Sequence, residues 1–361
     1  MIVAELSSSS STERLVVDVR AEHERPRSLW WEIARGTPPR WGERLDHLAI
    51  ALAPMAMAYG QDLHLEGPVA RTALAGLEEF GDAWHLWRPD LFHAVSITAG
   101  EVVDDRREAP GPTAAVCAFS GGVDGTYATL AHARGLLGGR SLPVAAAVLV
   151  HGFDIDVDDH YGFGLAERAA EAVTDELGVD LVTVRTNWRR EACPDWQMTF
   201  GAAAAAVLHL FADRAGTGVL AADTTYGHLT VPWGSNPVTN PLLSTARFRL
   251  TGAGAGIGRT AKCAAIGRLA SVRDHVRVCW AGPTPGANCG RCEKCIRTKV
   301  NFLAAGIGEV AALGPLAPGE LAAVTIGSEA ARSIYEEMRA DLGALPVDVA
   351  RELLALLDED S

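Results

Sequence analysis

The chain has 361 residues, 48% of them hydrophobic, enough for two domains or for one α/β domain with additions. Its 45 acidic residues outnumber 32 basic ones, and the formal charge of -13 argues against a broad nucleic-acid footprint, which needs clustered cations. No apolar stretch approaches the roughly 18 to 20 residues of a membrane-spanning helix, and "MIVAELSSSSS" has neither a basic start nor a long apolar run, so no membrane association and a cytoplasmic location are expected.

Residues 1–12, ending in "SSSSST", read as a flexible leader. An N-terminal α+β domain is expected over 13–105. There "RLVVDVR" and "SLWWEIA" read as strands of an antiparallel sheet, "RLDHLAIALAPMAMAYG" and "PVARTALAGLEEFGDAWHL" as helices, and "LFHAVSITAGEVV" as a further strand. The polar, Pro-containing stretch 104–113 reads as a linker. From 114 onward apolar runs such as "AAVCAF", "PVAAAVLVHG", "DLVTVRTN" and "GVLAAD" alternate with helical patterns of 10 to 15 residues. That alternation predicts an α/β domain over 114–305, with a parallel sheet, helices on both faces, and ligands beyond the carboxyl ends of the strands. Residues 306–361 read as a helical region packed against it. The glycines of "TGAGAGIGRT" do not fit a dinucleotide fingerprint and follow no clear strand, so this segment reads as a flexible loop near the active site.

"CAFSGGVDGTYATL" turns a strand into a helix through paired glycines. Gly121 and Gly122 permit unusual φ and close backbone approach, Ser120 offers a hydroxyl, and the helix starting near Asp124 supplies a positive dipole end. These are the parts of a phosphate cradle; a plain glycine turn with an N-capping Asp is the other reading. The Walker A spacing is absent.

Seven cysteines occur, and Cys279, Cys289, Cys292 and Cys295 follow a Cx9CxxCxxC spacing. Four thiolates suit a closed, structural Zn²⁺ site; an iron–sulfur cluster is the rival, without the Cys-Pro that accompanies the ferredoxin pattern. Cys117 reads as core, and Cys193 and Cys263 as loose thiols open to a sulfur-transfer role.

Ser120-Gly121-Gly122-Val123-Asp124 followed by Thr126 resembles the SGGxD[ST] pyrophosphate loop of the ATP pyrophosphatases, the adenine nucleotide α-hydrolase-like (HUP-like) enzymes. Gly125 departs from that pattern, where the family carries Ser or Thr, leaving Thr126 to supply the hydroxyl. Together with "CWAG…CGRCEKC" and the Lys-containing "TAKCAAIGRL", the chain is similar over roughly 114–305 to the 7-cyano-7-deazaguanine synthase branch. The resemblance implies ATP, Mg²⁺ and Zn²⁺ as cofactors, Asp124 and Lys262 as catalytic residues, and nucleotide contacts from Ser120 to Thr126, from His151 and from Asp223. It also implies a 7-carboxy-7-deazaguanine-like acid as substrate, adenylated with release of pyrophosphate. "ADTTYGHLTVPWGSNP" keeps Asp223 but departs from the family's Gly-Tyr-Pro-Asp-Cys-Arg run, which puts that acid in question.

Ile2 stands where a processed glutaminase Cys would be needed, so the expected nucleophile is ammonia or an amine on another molecule, a protein or peptide included. The N-terminal domain, holding five of the nine Trp, is then a docking or second-substrate module, and a homodimer is an allowed assembly. His151 and Asp154 follow the second strand of the α/β domain and either contact adenosine or sit in a solvated loop. Trp188, Trp196 and Trp233 either stack on a purine-like ring or pack the core. Rival functions are a tRNA or small-molecule sulfur transferase using the same adenylation, and an ATP-binding sensor without turnover.

Overall fold

The computed structural model describes residues 1–39, 41, 43–282 and 286–359. The first elements are β1 (Ile2–Leu6), β2 (Arg14–Ala21), β3 (Arg27–Arg35), α1 (Asp46–Tyr59), β4 (Leu63–Ala70), α2 (Arg71–Trp87) and β5 (Ile97–Val103). Next come β6 (Ala115–Ala118), α3 (Val123–Ala133), β7 (Val144–His151), α4 (His160–Leu177), β8 (Leu181–Thr186), α5 (Trp188–Ala192), α6 (Trp196–His209), β9 (Thr217–Ala221) and β10 (Arg249–Ala253). The last elements are helical: α7 (Arg259–Ile266), α8 (Ala270–His275), α9 (Glu293–Ala304), α10 (Glu329–Glu337), a 3₁₀ segment and α11 (Val347–Glu359).

Among the described residues, ten strands form one sheet in the order β10-β9-β6-β7-β8-β3-β2-β1-β4-β5. Six of its nine pairings are parallel, and the antiparallel ones flank β2 and join β3 to β8. From β6 the chain runs outward through β7 and β8, then crosses back to β9 on the other side of β6. The switch point therefore lies between β6 and β9, the place at which open parallel sheets generally bind their ligands.

Side-chain alternation along β7 shows why helices cover both faces. Ala146 and Val148 enter the core built with α1 and α6, whereas Ala147 and Leu149 enter the one built with α3 and α4. Every residue of α1 from Asp46 to Met57 is buried, as "DHLAIALAPMAM" requires of a helix apolar on all sides. The C-terminal region adds a third cluster, in which Ile296 and Val300 of α9 meet Ile334 and Tyr335 of α10 and Leu353 and Leu357 of α11.

Four expectations change. The segment read as a flexible leader contains β1, which pairs with β2 and β4 and buries Ile2 completely; five residues with alternating burial carry too little periodicity to stand out. "LHLEGPVA", partly read as helix, is β4, whose Gly67 and Pro68 coincide with a break in register against β5. The glycine segment does follow a strand, β10, on the edge of the sheet beside β9. The stretch read as a linker is tied down: Asp105 accepts from the N–H of Thr72 at 3.1 Å and of Ala246 at 3.0 Å, and Gly111 N–H donates to Arg247 O at 3.0 Å.

The segment before 105 also shares a sheet and a core with the α/β region after 114. Trp30 N–H donates to Asn187 Oδ1 at 2.9 Å, and Trp188 Nε1 donates to Ala51 O at 2.8 Å. Among the described residues no helix is long and apolar enough to cross a membrane.

Candidate active site and metal centre

The loop from β6 to α3 opens at the switch point. Gly121 has φ +74°, the left-handed region that a residue with a Cβ avoids, and this bend directs the chain from the strand into the first turn of α3. Gly122 caps the helix in extended conformation, and Ser120 is exposed at the lip. Val123 is buried beneath the loop and packs in the α3–α4 core.

Asp124, in the first turn of α3, is the centre of a buried charge cluster. Its Oδ1 accepts from Lys262 Nζ at 2.9 Å, and its Oδ2 from Arg259, both cations standing on α7. Lys262 also donates to the carbonyl of Ala222, just past β9, and is itself only 1% exposed. Burial alone would raise the Asp124 carboxyl; Arg259 and Lys262 overcome it and hold the carboxyl below the usual range. Asp223, the next residue after Ala222, moves the other way. Burial and the Asp124 charge push it up, and Trp233 Nε1 donates to its Oδ2 at 2.9 Å. The loop, Asp223 and Lys262, spread over more than a hundred positions in sequence, thus meet at one point.

An aromatic wall continues from Asp223. Trp233, Phe200 and Trp196 stand with successive ring centroids 6.1 Å apart, and Phe153 follows at 5.1 Å from Trp196. The indole of Trp196 donates to Asp154 Oδ1 at 3.2 Å, and Arg189 lies 4.5 Å over its ring. All four rings are half-buried. The loop bearing Trp233 sits directly on α6: a Cβ on Gly201 would come within 1.9 Å of Gly234 O.

Three residues land elsewhere. His151 is 1% exposed, stacked on Phe163 at 4.1 Å and hydrogen-bonded through Nε2 to Asp156 O at 2.9 Å; burial lowers its pKa. It packs the core below the β7 loop. Trp188 is likewise core. Thr126 faces inward, its Oγ1 buried without a hydrogen-bond partner, and a side chain at Gly125 would lie 3.3 Å from Ala118 O and 3.5 Å from Ser120 N. Neither position after Asp124 offers a hydroxyl at the loop mouth.

Four cysteines converge in the segment before and into α9. The Sγ atoms of Cys279, Cys289, Cys292 and Cys295 all lie within 4.8 Å of one another. Cys289 N–H donates to Cys279 Sγ at 3.1 Å and Cys292 N–H to Cys289 Sγ at 3.2 Å, contacts that favour thiolates. Burial pushes the Cys289 thiol up, but the backbone N–H groups of Arg291 and Cys292 more than offset this and hold it at about 6. Four sulfur donors at this spacing fit a tetrahedral metal such as zinc with no open position. Asn288 supports the knuckle from one side chain, accepting from Val278 N–H and donating to the carbonyls of Val276 and Ala312, each at 2.8 Å.

The remaining thiols have no activating setting. Burial raises Cys117 and Cys263 to about 12 and raises Cys193 as well.

A cavity of about 460 Å³ lies beyond Arg259, lined in part by Gly256, Ile257, Gly258, Glu337, Met338 and Asp341. Glu337 is fixed there by Thr225 Oγ1 at 2.6 Å, with His228 Nδ1 at 3.4 Å. Sequence reasoning missed Arg259, Asn288 and Glu337. Arg259 had a signal: it precedes Lys262 by three residues, which puts both on one face of a helix. Glu337 had none, since its place at the cavity depends on which loops the fold brings together.

No protein-family model, no curated protein and no solved structure matches this chain.

Proposed function

We propose that the chain is an ATP-dependent ligase of the ATP pyrophosphatase type, with a HUP-like core, that activates a carboxylate and passes it to a nitrogen nucleophile. The observation that carries this reading is the meeting of the 120–124 loop with Asp223, Lys262 and Arg259 at the β6/β9 switch point. The N-terminus of α3, which has no side-chain cap, and the bend at Gly121 suit a phosphate chain. The parallel strand order and the four-cysteine knuckle agree with the resemblance in sequence.

In this reading a substrate carboxylate oxygen attacks the α-phosphorus of ATP. The α–β anhydride bond breaks, and pyrophosphate leaves into the loop. The nitrogen then adds to the acyl carbon, the acyl–oxygen bond breaks, AMP departs, and the nitrogen loses its proton. The product is an amide, or a nitrile after a second ATP adenylates the amide oxygen with release of pyrophosphate, whereupon the C–O bond breaks, that oxygen leaves in AMP and the nitrogen loses its protons. In this reading Lys262, fixed by Asp124 and Ala222 O, lends positive charge to the transferring phosphate. Asp223 and Asp124 repel each other, and Mg²⁺ held by them and the phosphates would relieve that repulsion and act as a Lewis acid. The zinc would be structural, held by Cys279, Cys289, Cys292 and Cys295.

The wall of Trp196, Phe200 and Trp233 suits a flat heteroaromatic acid such as a 7-carboxy-7-deazaguanine-like compound. The cavity beyond Arg259 has room for the acceptor, ammonia or the amine of a peptide or protein. The raised thiols give the sulfur-transferase alternative little support. One observation favours an ATP-binding sensor instead: the loop mouth has no hydroxyl from Gly125 or Thr126.

The test is incubation with ATP, Mg²⁺, 7-carboxy-7-deazaguanine and ammonium, reading pyrophosphate and product mass. Acid-dependent pyrophosphate with an amide or nitrile product supports the ligase. ATP binding with no pyrophosphate across a panel of heteroaromatic acids supports the sensor.

A further inference from the structure

Among the described residues, the buried guanidinium atoms without a hydrogen-bond partner belong to Arg185, Arg259, Arg277 and Arg297. Three of these side chains have a carboxylate at ion-pair distance: Arg185 has Glu32, Arg259 has Asp124 and Arg297 has Glu293. Arg277 has none among the described residues, and two of its nitrogens, Nε and Nη1, are sealed without a partner. The residue is only 8% exposed. Its guanidinium lies 3.9 Å over the ring of Trp280, but a cation–π contact returns only part of what desolvating a charge costs. A buried cation in this state is stabilised when an anion joins it.

Its position says which anion. Arg277 N–H donates to Gly121 O at 2.9 Å, so the residue is bonded directly to the bend of the 120–124 loop. Its backbone also closes over the other glycine, with Arg277 O 3.3 Å from where a Cβ on Gly122 would stand. The negative groups whose charge reaches it are Cys279 and, past the carboxyl end of β7, Asp154 and Asp159. Two other cations at the loop, Arg259 and Lys262, already pair with Asp124, whereas Arg277 has no such carboxylate among the described residues.

We propose that Arg277 is the phosphate-binding cation of this site, gripping the phosphate chain of a nucleotide, or pyrophosphate itself, from the β7 side of the glycine loop. The nucleotide identity rests on the function proposed above; the anion site does not. Trp280 holds the guanidinium plane in place beforehand, so little side-chain freedom is lost on binding. The assignment explains how a loop lacking both hydroxyls after Asp124 can still hold a polyphosphate: a fixed guanidinium replaces them. The competing role for Arg277 is to balance the thiolates two residues away, at Cys279.

The test titrates inorganic pyrophosphate and, separately, Mg-ATP into the full chain, wild type and with Arg277→Met and Arg277→Lys, by calorimetry, with bound zinc measured on each sample. Arg277→Met is expected to weaken both ligands at least tenfold, with zinc content and melting temperature retained. Arg277→Lys recovers part of the affinity and stands in if the Met variant does not fold. Wild-type affinity for pyrophosphate in Arg277→Met overturns the proposal, as does loss of affinity together with loss of zinc. A wild type that binds pyrophosphate but not ATP leaves the anion site standing and removes the ligase reading. Binding of neither removes both.

Discussion

The carboxylate of Asp124 accepts from Lys262 Nζ at 2.9 Å, although the two residues stand 138 positions apart. That bond ties the glycine loop after β6 to α7, and Lys262 extends the tie to Ala222 beyond β9. Three loops at the carboxyl ends of the sheet are thereby held in one geometry before any ligand arrives, which is the preorganisation that charge-stabilising catalysis requires.

Replacing Asp124 with Asn leaves two buried cations facing a neutral amide. Losing one partner of a buried ion pair typically costs about 3 to 5 kcal/mol. The Asp124→Asn variant is therefore expected to unfold at distinctly lower denaturant concentration and to lose ATP–pyrophosphate exchange. An unchanged unfolding midpoint would contradict the role given to this cluster.

The two aspartates make opposite contributions to stability against pH. The folded-state pKa of Asp124 lies below the unfolded value of about 3.9. Its stabilisation is thus fully present above that value and is lost as pH falls through the folded pKa. Asp223 has a raised folded pKa, so it costs stability once pH rises past the unfolded value, and the cost is complete above the folded one. Asp223→Asn keeps an acceptor for Trp233 and removes that cost. Its expected signature is a higher melting temperature at pH 7, a gain that vanishes at acid pH, and no turnover.

Thr126→Val replaces a buried hydroxyl that has no partner with an apolar isostere, which is typically neutral or stabilising. Stability within about 0.5 kcal/mol of wild type or above it, and unchanged ATP affinity, are expected by denaturant melts and calorimetry. A large loss of ATP affinity would place that hydroxyl at the phosphate after all.

Gly201→Ala drives a Cβ to 1.9 Å from Gly234 O, so α6 and the Trp233 loop must separate. Overpacking of this kind costs about 1 to 3 kcal/mol. Because Trp233 belongs to the aromatic wall and not to the phosphate loop, the variant should raise the KM for the acid while leaving ATP affinity near wild type. Steady-state kinetics against each substrate separates the two.

Cys292→Ser removes one of four sulfur donors. The wild-type chain is expected to carry a zinc ion by elemental analysis and to be colourless, and the variant to lose both metal and several degrees of thermal stability. A visible charge-transfer band with bound iron would instead identify an iron–sulfur cluster.

Features written in short-range spacing were legible in the sequence. The glycine loop and the four cysteines each occupy fewer than twenty consecutive positions, and the strand–helix alternation after 114 reflects periods of two and 3.6. The structure brings those cysteines together and places Lys262 beside Asp124. Features created by tertiary contact were not. Nothing in "RSLWWEIAR" says that β3 will pair with β8, and nothing near His151 says that Phe163 will cover its ring. The unpaired charge on Arg277 emerges only when the chain around the cysteine knuckle is laid against Gly121.

The most direct test of the account is ATP–pyrophosphate exchange measured with and without a flat heteroaromatic acid, 7-carboxy-7-deazaguanine first, in the presence of Mg²⁺. The account predicts exchange that requires the acid and disappears in Asp124→Asn. Exchange or ATP hydrolysis indifferent to every acid tried, and equal in that variant, would contradict it.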